Sequence, residues 1–120
     1  MLKLAAQTVV FLVGALHVYI LVLEMFLWDK PQGMRAFGLK PDFAAQTKTL
    51  AANQGLYNGF LAAGLFWGLW LGSEGLGVQV FFLLCVLVAG LFGAVTASRK
   101  ILFIQGVPAL LGLALIWAAR

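Results

Sequence analysis

Four long apolar runs decide what this chain can fold into. They extend from Leu4 to Trp28, from Leu50 to Leu71, from Leu76 to Ala97 and from Ile101 to Ala119. About twenty residues of α-helix, at 1.5 Å rise per residue, cross the hydrocarbon core of a bilayer. Hydrophobic residues make up 63% of the chain and charged residues 10%, a balance typical of membrane proteins. We therefore predict an all-α integral membrane protein with a single transmembrane domain over residues 1–120.

The connections between the runs predict how the helices are arranged. Residues 29–49 carry prolines and glycines, so we expect an interfacial loop, with Asp42 as N-cap of a second helix that begins near Phe43. Residues 72–75 and 98–100 form short connections, which make sequential helices antiparallel neighbours. The first run is longer than the apolar core of a signal peptide, so we expect it to be retained. The expected architecture is a four-helix transmembrane bundle.

Basic residues set the expected orientation in the membrane. One end carries Lys3 and Arg120, whereas the first and third connections carry Lys30, Arg35, Lys40, Lys48, Arg99 and Lys100. The positive-inside rule then places these connections in the cytoplasm and both termini outside. The net charge of +4 comes from basic residues near the predicted helix ends, where such residues contact phospholipid headgroups. The expected partner is therefore the lipid bilayer and not a nucleic acid.

Glu24 is a carboxylate inside the first apolar run, and His17 lies about two turns earlier on the same helical face. An ionisable side chain at the bilayer centre costs roughly 2.5–3.5 kcal/mol or more, so it normally faces a partner, a cavity or a ligand. Trp28 lies one turn beyond Glu24 and continues this stripe. The stripe predicts an intramembrane functional site, with Glu24 and His17 as the candidates for acid–base chemistry.

Further polar residues occur on two other helices. In the second and fourth runs these are Asn53, Gln54, Tyr57, Asn58 and Gln105. Antiparallel packing brings the end of the first helix and the starts of the second and fourth to one face, so we expect a ligand-binding pocket around Glu24 and His17, closed toward the outside. One histidine, one glutamate and amides are a poor ligand set for zinc or iron. No metal and no cofactor is therefore predicted.

Each of these residues has a structural alternative. Glu24 can accept a hydrogen bond from Asn53 or Gln54 and fix the register of two helices, and His17 can be satisfied by a backbone carbonyl or by Tyr57. Interhelical amide hydrogen bonds contribute about 0.6 kcal/mol each on average.

Small residues predict where helices approach closely. Gly55 and Gly59 form a GxxxG motif, and a second ridge is formed by Ala89, Gly93 and Ala97. Such surfaces allow tight helix contact. The contact is either within one chain or between two, so a homodimer through the glycine-rich faces remains an alternative.

Three groups of residues carry a family resemblance: His17 with Glu24 and Trp28, the segment Asn53-Gln54-Gly55 with Tyr57-Asn58, and the segment Gln105-Gly106-Val107-Pro108. In this pattern the chain resembles, over nearly its whole length, the small bacterial membrane proteins catalogued as domain of unknown function 1304. The resemblance implies a multi-pass protein of a bacterial inner membrane and implies no substrate. In residue types alone the chain is also similar to DoxX-like proteins and to sterol-isomerase-type bundles.

Two functions from different classes are consistent with the site. In the first, the bundle binds or transports a small molecule, cationic or amphipathic, with Glu24 as counter-ion and either Glu24 or His17 as protonation switch. In the second, a membrane enzyme uses the same pair for isomerase-like proton transfer on a lipophilic substrate. A structural or regulatory subunit is a third alternative. We favour binding or transport, because the sequence offers no metal set, no nucleophile elbow, no phosphate loop and only one intramembrane acid for catalysis.

Overall fold

The computed structural model describes all 120 residues and contains helices and no strand. The helices are α1 (Leu2–Met25), α2 (Pro31–Phe37), α3 (Pro41–Trp70), α4 (Leu76–Thr96) and α5 (Val107–Ala119). A 3₁₀ turn, Gly72–Gly75, joins α3 to α4, and a π-helical turn, Leu102–Gly106, precedes α5. The predicted all-α class is confirmed.

Three helical stretches are long and apolar enough to cross a membrane: Leu2–Met25, Gly72–Thr96 and Leu102–Ala119. They correspond to the first, third and fourth predicted runs. Helix α3 is the longest, with 30 residues, but it is not among the three. The middle of this helix carries the polar stripe from Asn53 to Asn58, which lowers its apolar character. Thirty residues of helix extend for about 45 Å, which exceeds the roughly 30 Å of a hydrocarbon core.

The four long helices pack as a closed ring. Helix α1 lies between α3 and α5, and α4 contacts the same two helices from the other side. Gly112 of α5 lies against Val9 of α1 and Leu83 of α4, so the interior is narrow at this level. The buried core comprises Ala6, Val10, Val13, Leu65, Leu83, Val86, Ala109 and Ile116.

The outer faces of the helices carry large apolar side chains. Val95 is 87% exposed, Trp70 83% and Phe92 70%, and many other aliphatic and aromatic residues are exposed on the same surface. Large apolar side chains are rarely exposed in such numbers on soluble monomers. The surface therefore suits a lipid environment.

The connection over residues 29–49 differs from the expected loop. It contains α2, and α3 begins at Pro41 with Lys40 as N-cap, so the predicted N-cap at Asp42 is wrong. Pro31 and Pro41 occupy the first turn of the two helices, where the fixed φ of proline suits a helix and its missing N–H costs nothing. Gly38 ends α2 with a φ of 65°, a left-handed conformation that glycine adopts readily.

Candidate functional site

A hydrogen bond between α1 and α3 forms the centre of the candidate site. Asn58 Nδ2 donates to Glu24 Oε1 at 2.7 Å and also to the backbone oxygen of Gln54 at 3.1 Å. Both hydrogens of the Asn58 amide are therefore used. Glu24 is partly buried, and its Oε2 accepts no hydrogen bond. The expected contact between Glu24 and an amide of the second run is confirmed, and Asn58 provides it.

The GxxxG glycines bring the two helices together at this point. A Cβ atom added at Gly55 would lie 3.1 Å from Glu24 Cβ and 3.2 Å from the backbone oxygen of Leu21. One added at Gly59 would lie 2.6 Å from Leu21 Cδ1. Both glycines therefore face α1 of the same chain. In the second ridge, Gly93 lies against Ile101, again within the chain.

The charge of Glu24 has no cationic partner within the protein. The single ion pair in the structure joins Lys48 Nζ to Asp29 Oδ2 at 3.1 Å, outside the apolar helices. The hydrogen-bond partner of Glu24 is a neutral amide, which stabilises a carboxylate far less than a cation does. A proton or a bound cation would balance the carboxylate.

His17 lies in the interior of the bundle and is completely buried. Its Nδ1 lies 2.8 Å from the backbone oxygen of Val13. A carbonyl oxygen only accepts, so Nδ1 carries a proton, and Nε2 of a neutral ring is an acceptor. Nε2 is buried without any hydrogen-bond partner. The structural alternative for His17 accounts for one ring nitrogen and leaves the other unexplained.

Glu24 and His17 form two separate polar points on α1. They are seven residues apart, which corresponds to about 10 Å along the helix axis. Each has its own hydrogen-bond partner, and no hydrogen bond joins them. The two side chains are therefore not a directly coupled acid–base pair.

The π turn lies at the height of His17. Helix α5 is antiparallel to α1, with Val9 in contact with Gly112, and the same register places residues near 104 at the depth of position 17, although the turn itself packs mainly against α4. The turn has a local cause: Pro108 lacks an N–H and crowds the carbonyl four residues earlier, and the backbone widens so that the Val107 N–H reaches the oxygen of Leu102. Such π turns recur at functional sites. Gln105 lies in this turn, partly buried, and its side chain makes no hydrogen bond.

The remaining polar residues of α3 lie away from Glu24. Asn53, Gln54 and Tyr57 are exposed, and Asn53 Nδ2 donates to the backbone oxygen of Thr49 on its own helix. At about 100° per residue, Asn58 lies within about 60° of Gly55, whereas Asn53 lies on the opposite side of the helix. The structure thus brings one amide of the predicted stripe to Glu24 and directs the rest outward.

Trp28 connects the end of α1 to the following segments. Its Nε1–H donates to Thr47 Oγ1 at 2.9 Å, and its ring lies 5.0 Å from that of Phe37, centroid to centroid. Beside it, the hydrogen bond from Lys48 lowers the pKa of Asp29 below its ordinary value. No sequence pattern indicated these contacts, because they join residues of different segments through side chains alone.

The best-formed cavity lies at the opposite end of the bundle. It has a volume of about 300 Å³, and its polar lining consists of Lys3, Gln7, Ser73, Gln79 and Arg120. A second, more open cavity shares Gln7 with it. The predicted pocket around Glu24 and His17 corresponds to neither. The sequence did show polar residues at this end, but their convergence depends on how the helix ends pack.

A family model described as Protein of unknown function (DUF1304) matches residues 11–117. The chain belongs to this family. The chain is also similar to the uncharacterized protein YpaA of Lactococcus lactis subsp. lactis (strain IL1403), with 31% identity over 97 residues, which cover 79% of this chain and 82% of that protein. No solved structure matches. The DUF1304 match includes every residue of the Glu24 site and excludes Lys3, Gln7 and Arg120.

Proposed function

We propose that this DUF1304 protein is a four-helix transmembrane bundle of a bacterial inner membrane that binds a small cationic or amphipathic molecule at Glu24. The observation that carries the proposal is the state of the Glu24 carboxylate. One oxygen is held by a neutral amide at 2.7 Å, the other accepts no hydrogen bond, and no cation of the chain lies beside it. A carboxylate held in this way at a helix seam is suited to act as the counter-ion of a ligand.

The packing of α3 supports its assignment as the fourth span. Gly55 lies against Met25 at one end of α1, and Phe66 lies against Gly14 more than two turns further along. Because α1 is apolar enough to cross the bilayer, a helix packed antiparallel along it shares the same depth. From the basic asymmetry we infer that α2 and the start of α3 lie in the cytoplasm and both termini outside.

The exposed polar stripe of α3 supports an amphipathic ligand. Gln54 and Tyr57 lie on the outer surface beside Asn58, which holds Glu24. A molecule with an apolar body can rest on the lipid-facing surface while its polar group contacts this stripe and reaches the carboxylate. The buried Nε2 of His17 is a second proton acceptor on the same helix, so a protonation switch deeper in the bundle belongs to the same proposal.

Binding is favoured over isomerase-like catalysis by the geometry of the two ionisable groups. Proton transfer between an acid and a base on one substrate needs both groups within hydrogen-bonding reach of it. Glu24 and His17 are separated by about 10 Å along the helix and have no direct contact. Transport would use the same binding site and would also require the protein to adopt a second conformation.

The test replaces Glu24 with glutamine, which retains the volume and a hydrogen-bond acceptor and removes the charge. Purified protein in neutral detergent is titrated with tetraphenylphosphonium and with an alkylammonium, and the melting temperature is followed as a function of pH. We expect a rise in melting temperature with the wild type and none with Glu24→Gln, with both proteins folded.

Gln54→Leu is the comparison variant, because it removes an uncharged side chain of the same surface and keeps the Glu24 carboxylate. It should bind the cations more weakly than the wild type and keep the pH dependence that Glu24→Gln loses. If Glu24→Gln binds the cations and responds to pH as the wild type does, the hydrogen bond to Asn58 only fixes the helices, and the proposal fails.

A further inference from the structure

The cavity at the far end of the bundle combines two cations with uncharged polar groups. Lys3 lies in the first turn of α1, and Arg120 directly follows α5, so both chain ends of the bundle contribute a positive charge to one space of about 300 Å³. Neither cation forms an ion pair with a carboxylate of the chain. No side-chain carboxylate lines the cavity, although Glu74 follows Ser73 in the same 3₁₀ turn, and the guanidinium carbon of Arg120 also lies 5.2 Å from the centroid of the Trp117 ring. The lining itself is therefore positively charged.

The buried side-chain amide of Gln79 forms part of the wall of this cavity. Gln79 is 2% exposed, and its Nε2 donates to the backbone oxygen of Gly68 at 3.2 Å. This bond fixes the orientation of the amide and leaves Oε1 as an acceptor without a hydrogen bond. Gly68 and Gly75 allow the close approach, because a Cβ at Gly68 would lie 2.7 Å from Gln79 Cγ and one at Gly75 would overlap the backbone of Gly68.

An apolar groove continues from the same cavity along the surface of the bundle. The second, open cavity has a volume of about 380 Å³ and is lined by Gln7, Thr8, Phe11 and Leu69. Gln7 lines both spaces. Phe11 packs against Phe66, with 5.6 Å between ring centroids and the ring planes tilted by 51°, so a neighbouring aromatic ring supports this side of the groove. From Gln7 to Phe11 the groove follows α1 away from its end and toward the middle of the bilayer.

We propose that this end of the bundle is a binding site for an anionic phospholipid, with the phosphate between Lys3 and Arg120 and one acyl chain in the groove beside Phe11. Phosphate oxygens accept several charge-assisted hydrogen bonds at once, which matches two cations and the Ser73 hydroxyl. The unpaired Oε1 of Gln79 accepts a hydrogen bond from a hydroxyl of the headgroup. Isolated basic residues at helix ends contact headgroups without selectivity, whereas these two line one formed cavity.

The site is independent of the one at Glu24. It lies at the other end of α1, it has the opposite charge, and Lys3, Gln7 and Arg120 fall outside the residues matched by the family model. A failure of cation binding at Glu24 therefore leaves this proposal intact, and the reverse also holds.

The experiment counts the lipid molecules bound to the full chain and compares an anionic lipid with a zwitterionic one. The protein is purified in neutral detergent, titrated with phosphatidylglycerol or with zwitterionic phosphatidylcholine, and examined by native mass spectrometry. The test variant is Lys3→Gln with Arg120→Gln. The control is Lys30→Gln with Arg35→Gln, which removes the same charge from two exposed residues at the other end.

We expect the wild type to retain one phosphatidylglycerol in preference to phosphatidylcholine. At roughly a five- to sixfold loss for each cation removed, the test variant should bind it roughly thirtyfold more weakly, while the control changes little. Ser73→Ala, which retains both charges and the fold of the turn, should weaken binding by a smaller factor. Equal binding by the test and control variants, or no preference for the anionic lipid, would overturn the proposal.

Two soluble probes distinguish a lipid from a free phosphate. Inorganic phosphate and glycerol phosphate contain the anion and lack the acyl chain, so neither should displace phosphatidylglycerol at millimolar concentration. If either displaces it from the wild type, the site recognises the phosphate alone, and the lipid assignment is wrong.

Discussion

Replacing Gly55 with alanine tests whether α1 and α3 approach as closely beside Glu24 as the structure has them. The new Cβ would lie 2.6 Å from Met25 Cγ, 3.1 Å from Glu24 Cβ and 3.2 Å from the backbone oxygen of Leu21. The Met25 side chain can move, but the other two atoms belong to or adjoin the backbone of α1. The helices must therefore separate by a few tenths of an ångström, which also stretches the bond from Asn58 to Glu24.

Gly59→Ala is the matched control on the same helix. Its Cβ would meet Leu21 Cδ1 at 2.6 Å, and the next atom, Leu21 Cγ, is 3.9 Å away. A terminal methyl group can rotate aside at little cost. Both substitutions gain roughly up to 1 kcal/mol of helix propensity, which cancels in the comparison. Overpacking against rigid neighbours costs about 1–3 kcal/mol. Gly55→Ala should thus be less stable than Gly59→Ala by about 1–3 kcal/mol.

The measurement is unfolding in mixed micelles of neutral detergent and dodecyl sulfate, followed by circular dichroism. Gly59→Ala should unfold close to the wild type, and Gly55→Ala at a clearly lower fraction of dodecyl sulfate. Repeating the titration at several protein concentrations separates a contact within the chain from one between chains. Equal stability of the two variants, or a concentration dependence found only in the wild type, would refute the register of α1 and α3.

Three further predictions follow from other contacts. Gly90→Ala would place a Cβ 2.8 Å and 3.0 Å from backbone atoms of the π turn, whereas Gly77 has open space, so only Gly90→Ala should lower the unfolding midpoint in the same titration. Because the hydrogen bond from Lys48 lowers the pKa of Asp29, its stabilisation is present at neutral pH and is lost as pH falls through that lowered pKa; Asp29→Asn should flatten this acid-side decline in a pH series of melting temperatures. A cysteine at exposed Ala36, in a variant without the native cysteine, should react with an impermeant reagent only from the cytoplasmic side, and labelling of intact cells from outside would reverse the topology.

The long helices and their approximate bounds were predictable, because a backbone in lipid must satisfy its own hydrogen bonds. A long apolar run is then expected to be helical. Helix α4, for example, begins at the predicted residue, Leu76. The helix α2 was missed although its signals were present: Pro31 and Pro41 each follow a lysine and occupy the first helical turn, and Gly38 follows the last residue of α2. The prolines and glycines were interpreted as loop residues, whereas they mark the ends of helices.

Depth in the bundle and rotation about a helix axis differ in how far the sequence determines them. Depth follows from rise per residue, which puts Asn53 and Gln54 level with Glu24 and Asn58 deeper, whereas the amide that reaches Glu24 is that of Asn58. Rotation depends on which side chains pack, and the buried face of α3 consists of small residues, Ala51, Gly55 and Ala62. At about 100° per residue, Asn58 lies within about 60° of all three, and Asn53 lies roughly opposite them.

In a membrane helix the small residues mark the contact face better than the polar ones do, because close packing drives association there. Polar residues on the remaining surface then become candidates for contact with a ligand or lipid, and Gln54 and Tyr57 occupy that position here.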